Sequence, residues 1–321
     1  MAGHAVTGWS AVTGPLMLID SAGLWFRSYF ALPDSLTAPD GTPVNSVRGF
    51  CDMLAKLVTE RRPARLVACL DNDWRPQFRV DALPSYKAHR VAEEDPDAEE
   101  VPDTLTPQIP VILELLDALG IATAEAEGFE ADDVIGALAH RETQDRVEVV
   151  TGDRDLFQLV RTEPTPVRVI YVGGGLSKAQ NYGPEELAER YGLSPGRAGD
   201  DYADMAVLRG DPSDGLPGVA GIGEKTAAKL ITQFGSLDAL LAAAVEGTGV
   251  TPRVRALLAD AADYLAAAPA VVRTVNTAPV VVDRVDDALP SKAVDHERVV
   301  ELQKRWGLGA SVDRLLAAVT L

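Results

Sequence analysis

Two aspartates that directly follow a short apolar run constrain the fold of this chain more than any other feature. Asp153 and Asp155 lie in the segment 151–155, after the apolar run 147–150 and before residues 156–160, whose pattern predicts the opening of a helix. The apolar run has the length and composition of a buried strand. In an open, mostly parallel α/β sheet, the carboxyl ends of the strands border the crevice in which ligands bind. The pattern therefore predicts an α/β fold with two carboxylates at the functional edge of its sheet.

Two other apolar runs end in the same way. Residues 16–19 lead into Asp20, and residues 65–70 lead into Asp71. Three more acids stand at the start of an apolar-periodic helix and two follow in a glycine-flanked turn: Glu130, Asp132, Asp133, Asp211 and Asp214. Helix capping and the helix dipole explain any one of these motifs equally well. Because such acidic motifs recur along the chain, we favour a fold in which all their carboxylates meet in a single crevice.

Gathered carboxylates repel one another unless a cation neutralises them. All-oxygen ligation suits Mg²⁺ or Mn²⁺ better than zinc or copper. The sequence therefore predicts two or more Mg²⁺ or Mn²⁺ ions, with some acids acting through ordered water. The candidate metal ligands are Asp20, Asp71, Glu130, Asp132, Asp133, Asp153, Asp155, Asp211 and Asp214.

A short basic segment offers candidate phosphate contacts. Tyr86, Lys87 and Arg90 lie within five positions. Lys87 and Arg90 are predicted to stabilise charge that grows on a phosphate, and Tyr86 to stack on an unpaired base. Taken alone, the segment is explained better as a solvated helix end. Arg27, on the helix predicted after the first strand, is by itself most simply a surface charge.

Residues 91–106 are acidic and contain Pro96 and Pro102, with Pro107 just beyond. This composition opposes a stable helix and predicts a mobile lid or loop. A solvated surface run explains the same composition equally well.

The net charge of −18 is unfavourable for a nucleic-acid partner, because phosphate binding requires clustered Lys and Arg. We expect the charges to be segregated, with several acids used by metals. Cys51 and Cys69 lie in apolar contexts and are predicted to be buried free thiols. Residues 1–14 lack the pattern of a secretion signal and are predicted to be a flexible extension. No apolar stretch is long enough for a bilayer, so we expect a cytoplasmic protein without a membrane partner.

From about residue 194 the pattern becomes helical and poor in strands. A glycine-rich loop precedes one of these helices, whose first-turn N–H groups can bind a phosphate of the nucleic-acid backbone. The candidate DNA-binding residues are Gly218, Gly221, Ile222, Gly223, Lys225, Thr226 and Lys229. The alternative is an interhelical turn that binds nothing.

Six segments occur in an order that resembles the 5′ nuclease (flap endonuclease) family, above all the 5′→3′ exonuclease domain of bacterial DNA polymerase I. They are 18–21, 27–32, 85–90, 128–134, 151–159 and 210–229. The resemblance implies a central, mostly parallel sheet flanked by helices, a PIN-like or resolvase-like core, followed by a helical region with a helix-three-turn-helix motif. We expect a flexible extension at 1–14, the nuclease core at 15–195 and the helical region at 196–321. The chain departs from the family in its acidic 91–106 segment and in Gly215, where Asn is usual.

The resemblance also implies a function. It predicts a freestanding metal-dependent hydrolase of DNA phosphodiesters, with 5′→3′ exonuclease and 5′-flap endonuclease activity. The implied catalytic residues are Arg27, Tyr86, Lys87 and Arg90, and a K⁺ ion is expected at the glycine loop. The substrates would be 5′ ends, flaps or nicks, with RNA in the 5′ strand left open. The expected setting is primer removal, replication or repair, beside a separate DNA polymerase and ligase.

Three alternatives remain. A PIN-like endoribonuclease would share the acidic sheet edge but is usually shorter and lacks the glycine loop. A non-catalytic, structure-specific DNA-binding protein would keep the loop without needing every acid. A Mg²⁺-dependent phosphatase would use an aspartate at a strand end as its nucleophile.

Overall fold

The computed structural model of the protein describes residues 14–93, 95 and 98–320. The flexible extension predicted for 1–14 therefore falls outside the described residues up to residue 13. Seven strands form one sheet: β1 Leu16–Asp20, β2 Arg65–Cys69, β3 Ala122–Glu125, β4 Val147–Thr151, β5 Val167–Tyr171, β6 Gln180–Tyr182 and β7 Val281–Val282. Their order is β6-β5-β4-β1-β2-β3-β7. The five central strands are parallel, and only β6 and β7 at the two edges are antiparallel.

Thirteen α-helices accompany the sheet in the described residues. The first seven are α1 Ser21–Ala31, α2 Asn45–Arg61, α3 Gln77–Ala82, α4 Gln108–Leu119, α5 Ala131–Arg141, α6 Pro184–Tyr191 and α7 Ala198–Arg209. The others are α8 Glu224–Phe234, α9 Leu237–Glu246, α10 Pro252–Asp260, α11 Ala262–Val272, α12 His296–Arg305 and α13 Ala310–Val319. Among the described residues no single helix is long and apolar enough to cross a bilayer. Helices α8 and α9 meet the length and composition only as a pair, which is bent by 81°.

The central strand β1 divides the apolar core into two layers because its side chains alternate between the sheet faces. Leu16 and Leu18 pack with helices α5, α7 and α8, whereas Met17 and Ile19 pack with α2, α4 and α13. All of β1 is buried. The predicted α/β class with a mostly parallel sheet is confirmed, and β1, β2 and β4 are neighbours whose carboxyl ends meet at one edge.

Two predictions about elements are wrong. Residues 156–160 do not open an α-helix, because the turn Asp155–Leu159 is a short 3₁₀-helix. The chain also leaves the helical region after α11, since β7 pairs with β3 and α13 packs along α2. The helical region therefore spans α7 to α11, and the last 50 residues or so belong to the α/β core.

Two smaller predictions are confirmed. Cys51 and Cys69 are buried free thiols. The described part of the acidic segment 91–106 contains no α-helix, as its composition predicts; Val91 is bridged to Glu99 and turns follow, and the mobility of the segment stays a prediction.

Candidate active site and nucleic-acid interface

A cleft of about 820 Å³ opens at the carboxyl ends of β1, β2 and β4. Asp20 ends β1, where it accepts a hydrogen bond of 2.9 Å from the Gly23 N–H and caps α1. The Thr151 hydroxyl at the end of β4 donates to the other oxygen of Asp20 at 2.7 Å. Six of the nine predicted acids line this cleft: Asp20, Asp71, Glu130, Asp132, Asp153 and Asp211. Four separate sequence motifs and the end of β2 therefore contribute carboxylates to one surface.

Two more predicted acids lie directly behind the cleft. Asp155 and Asp214 line a small cavity of about 20 Å³, which also touches Glu130 and Asp132. The loop after β4 is ordered by its own polar groups, because the Asp153 N–H donates to Thr151 Oγ1 and the Asp155 N–H donates to Asp153 Oδ1, each at 2.8 Å.

Burial and mutual repulsion penalise the charged form of several of these acids. Burial, followed by the charges of Asp153 and Asp20, raises the pKa of Asp132 well above its ordinary value. Loss of surrounding water in the cleft raises the pKa of Asp71, which is still partly open to solvent, to about 7 and that of the half-buried Asp214 to about 6, with neighbouring acids adding to both shifts. A bound divalent cation would relieve this repulsion.

The donor set suits a hard divalent cation, because every acid lining the cleft offers carboxylate oxygens. In the described residues, however, no three acidic, histidine or cysteine side chains converge closely enough to enclose an ion. Mg²⁺ is usually held by one or two carboxylates and keeps water or substrate phosphates as its other ligands. An open, acid-lined cleft that leaves room for phosphate therefore fits such an ion.

Lys87 lies against the acids and is held firmly in place. Its Nζ is 2.6 Å from Glu130 Oε2 and donates to the Trp74 carbonyl oxygen at 3.2 Å. Its backbone is in the left-handed region, with φ of 46°, and its N–H donates to the Asp214 carbonyl oxygen. The predicted cation therefore stands in the cleft with its ammonium fixed by Glu130.

Tyr86 cannot stack on a base as predicted. Its side chain is only 4% exposed and its hydroxyl donates to Glu130 Oε1 at 2.6 Å. Tyr86 is instead buried and fixes the position of the Glu130 carboxylate, which in turn holds the ammonium of Lys87.

The two predicted arginines also lie in the cleft wall. Arg90 Nη2 donates to Asp214 Oδ1 at 2.6 Å and to the Ser213 carbonyl oxygen at 2.8 Å. Arg27 Nη2 donates to the Gly173 carbonyl oxygen at 2.7 Å. Both side chains remain partly exposed to the cleft and can meet a phosphate there.

Asp133 does not belong with the other acids. It is fully buried, and its two oxygens accept hydrogen bonds of 2.8 Å and 2.7 Å from the guanidinium of Arg79 and one of 2.8 Å from the Val275 N–H. Asp133 lines neither the cleft nor the cavity behind it, so its carboxylate faces Arg79 and not the other acids. We therefore exclude Asp133 from the proposed ligands; it joins α5 to α3 and to the chain after α11.

The glycine loop precedes α8, as predicted, but its residues divide into two groups. Ile222 is buried, and a Cβ on Gly218 would lie 2.3 Å from the Arg209 carbonyl oxygen, so these two positions shape the loop. The surface group comprises Gly221, Gly223, Lys225, Thr226 and Lys229, all exposed.

Gly215, where the family usually has Asn, packs against the basic segment. A Cβ at this position would lie 2.1 Å from the Ser85 carbonyl oxygen, and its φ is +76°. The absence of a side chain therefore lets the Asp211–Asp214 turn approach Lys87 and Arg90 closely.

Two family models match the chain. "5'-3' exonuclease, N-terminal resolvase-like domain" covers residues 15–192, and "5'-3' exonuclease, C-terminal SAM fold" covers residues 198–297. The chain belongs to the 5′-3′ exonuclease family. This exonuclease is 57% identical over 310 residues to a 5′-3′ exonuclease of Mycobacterium tuberculosis, covering 95% of this chain and 98% of that one. A 5′-3′ exonuclease of Streptomyces coelicolor is 53% identical over 95% of this chain and its own full length.

DNA polymerase I of Bacillus caldotenax is 35% identical over 302 residues, which are 94% of this chain but 32% of that polymerase. Among solved structures, the bacteriophage T5 D15 flap endonuclease in a complex with DNA and metal ions aligns over 95% of this chain and 99% of its own, with a TM-score of 0.62 and 16% identity. The catalytic core of Rad2 with a DNA substrate aligns over 96% and 93%, with a TM-score of 0.56 and 18% identity. The exonuclease thus shares its fold with structure-specific nucleases, and its family membership makes it a 5′ nuclease.

The structure of the exonuclease also reveals cleft residues that sequence reasoning did not single out. Phe30 is 72% exposed although it is a large apolar side chain, and it lines the cleft beside Arg27. Arg154, Glu99 and Trp74 line the same cleft. Phe30 lies four residues after Phe26 on α1, a spacing that places both on one helix face. This spacing could have pointed to an aromatic surface in the cleft, but the same spacing is typical of apolar residues in a buried core.

Proposed function

We propose that this exonuclease is a divalent-metal-dependent nuclease that hydrolyses DNA at 5′ ends, 5′ flaps and nicks. The observation that carries the proposal is the meeting, in one cleft, of carboxylates from separate motifs with the cations Lys87, Arg90 and Arg27. Acids alone would attract metal but repel DNA. Cations in the same cleft supply the charge that a phosphodiester requires.

Each group has a proposed role. Eight acids would hold Mg²⁺ or Mn²⁺ directly or through water: Asp20, Asp71, Glu130, Asp132, Asp153, Asp155, Asp211 and Asp214. The ions, when bound, would activate water and stabilise the leaving 3′ oxygen. Lys87 would stabilise the charge on the scissile phosphate, with Glu130 fixing the position of its ammonium. Arg27 and Arg90 would hold the phosphate of the 5′ strand.

The glycine loop would hold the duplex on its backbone. The exposed first turn of α8 presents N–H groups and the side chains of Lys225, Thr226 and Lys229 outwards. The expected K⁺ ion would lie between the loop carbonyls and a DNA phosphate. The DNA in the T5 and Rad2 complexes, which share this fold, supports DNA as the ligand.

The biological setting follows from the relatives. The similarity to DNA polymerase I supports primer removal, replication or repair beside a separate DNA polymerase and ligase. RNA in the 5′ strand and a cytoplasmic location stay predictions.

Cleavage of an end-labelled 5′-flap DNA with Mg²⁺ or Mn²⁺ tests the proposal, beside a single-stranded RNA of matched length. We expect cutting near the flap junction by the wild type. Asp153→Asn should bind the DNA but lose cutting by at least about a hundred-fold, because it removes a ligand charge from the cleft. Asp73→Asn is the matched control, since the Asp73 carboxylate accepts a bond from the Arg75 N–H and is not among the acids that line the cleft. Faster cutting of RNA would favour the endoribonuclease, and binding without cutting would favour a DNA-binding protein.

A further inference from the structure

Two described parts of the acidic segment 91–106 lie side by side next to Lys87 and Arg90. Val91 follows Arg90 directly and is bridged to Glu99. The Ala92 N–H donates to the Ala98 carbonyl oxygen at 2.9 Å, and the Glu100 N–H donates to the Arg90 carbonyl oxygen at 2.8 Å. These bonds fix residues 98–100 beside the backbone of Arg90.

The far end of the same segment is tied to α1. The Thr104 and Tyr29 hydroxyls are 2.7 Å apart, and Leu105 is fully buried. The segment therefore runs from the basic residues on one wall of the cleft to α1, which carries Arg27 and Phe30 on the other.

Glu99 and Glu100 differ in what they face, although they are neighbours. Glu99 is partly buried and lines the cleft with Lys87 and Arg90, whereas Glu100 is exposed and does not line it. Burial raises the pKa of Glu99, while the charges of Lys87 and Arg90 act in the opposite direction. Glu99 thus adds a negative charge to the part of the cleft that holds the two cations assigned to the phosphate, which are themselves paired with Glu130 and Asp214.

We propose that Glu99 sets the substrate affinity of this exonuclease by competing with the DNA phosphate for Lys87 and Arg90. An anion near these cations lowers the net charge that an incoming phosphate meets. Binding of DNA therefore has to displace Glu99 or be weakened by it. Glu99 therefore weakens DNA binding and leaves the rate of the chemical step unchanged, because the acids and Lys87 keep their positions. This inference rests on the proposed function only in assigning Lys87 and Arg90 to phosphate.

Glu99→Gln, with Glu100→Gln as the matched control, tests the inference on the full chain. Each variant removes one negative charge, and the two residues are neighbours in the acidic segment 91–106. We expect Glu99→Gln to lower KM for the 5′-flap DNA by about five-fold with kcat unchanged, a size typical of one partly exposed charge pair. Its plot of log KM against log salt should become steeper by roughly one unit, because the cleft that meets the phosphate gains one unit of net positive charge. Glu100→Gln should change both quantities much less.

Binding is measured as well, by fluorescence anisotropy of the labelled flap DNA in the Asp153→Asn background, where cleavage is too slow to change the DNA during the measurement. Equal affinities of the Glu99→Gln and Glu100→Gln variants would overturn the inference, as would a loss of kcat in Glu99→Gln. Thermal unfolding of each variant shows whether it is folded, and the exposed Glu100→Gln supplies the reference melting temperature. If the wild type binds the flap but does not cut it, the proposed function fails while the binding comparison still decides the role of Glu99.

Discussion

At the scale of single residues, burial decides which aromatic ring can meet a nucleic acid. Tyr86 stands in the basic segment, yet its hydroxyl is committed to Glu130 and its ring is covered. Phe30 is exposed in the same cleft, and its ring meets Tyr29 edge to face with centroids 5.1 Å apart. Phe30 is therefore an exposed cleft ring that can stack on a base, whereas Tyr86 is a positioning residue.

Phe30→Leu should weaken binding of the 5′-flap DNA without destabilising the protein. The change keeps apolar bulk but removes the aromatic face, and one base stack corresponds to roughly a ten-fold change in KM. Phe30→Tyr keeps the ring and serves as the control. Steady-state kinetics and thermal unfolding would be compared. An unchanged KM in Phe30→Leu would show that the ring does not touch DNA.

Arg79 and Asp133 form an ion pair that is almost entirely removed from water. Arg79→Met should lower the free energy of unfolding by about 3–5 kcal/mol, because it leaves the buried carboxylate of Asp133 without its partner. The double variant Arg79→Met/Asp133→Leu should recover much of this loss, since it removes both charges. Urea unfolding of the two variants and the wild type measures this. A double variant less stable than Arg79→Met would contradict the account.

At the scale of elements, one arginine joins segments that are distant in sequence. Arg65 at the start of β2 contacts Glu142 after α5, Asp145 before β4 and Asp287 after β7. Although burial acts to raise it, two backbone N–H groups and Arg65 hold the pKa of Glu142 below its ordinary value of 4.5. The folded state therefore binds fewer protons at this group than the unfolded state.

This shift predicts a dependence of stability on pH. The contribution of the Glu142 carboxylate to the free energy of unfolding is fully present above pH 4.5. It is lost as the pH falls through the lower pKa that Glu142 has in the folded state. Glu142→Gln should be less stable than the wild type at pH 7, and the difference should shrink on acidification. Urea unfolding between pH 7 and acid measures it. Glu60→Gln, which removes an exposed acid with one contact of 3.7 Å to Lys56, should show a much smaller difference.

At the scale of the whole molecule, segregation of charge lets a chain of net charge −18 present a surface to DNA. Acids cluster in the cleft, where a cation fits. Lys225 and Lys229 lie exposed on α8, one turn apart on the same face. The helical region that carries them shares an apolar layer with the sheet, so the cleft and the loop are held together by continuous packing.

Lys225→Gln/Lys229→Gln should therefore raise KM for the 5′-flap DNA with little change in kcat. The slope of log KM against log salt should fall by about two units, one for each lost phosphate contact. Lys292→Gln/Lys304→Gln makes the same charge change at exposed positions elsewhere in the described chain. Kinetics at several salt concentrations distinguish the two. Equal effects of both double variants would mean that net charge, and not the α8 surface, governs binding.

The sequence alone determined much of the site because its signals are local. An apolar run followed by an acid specifies a strand and the group at its end, and a parallel sheet brings such ends together. Asp20, Asp71 and Asp153 were predicted in this way, and the structure places them in one cleft. The glycine loop before α8 was equally visible, because the backbone geometry of such a turn requires glycine.

Tertiary structure decided what depends on contacts between distant segments. Asp132 and Asp133 are neighbours with the same chemistry, but only the fold turns one towards the cleft and the other onto Arg79. The return of α13 to α2 likewise leaves no local signal, since an amphipathic helix does not specify which apolar face will cover it. Hydrophobic periodicity predicts whether a side chain will be buried or exposed. Packing among elements far apart in the chain determines which residues that side chain contacts.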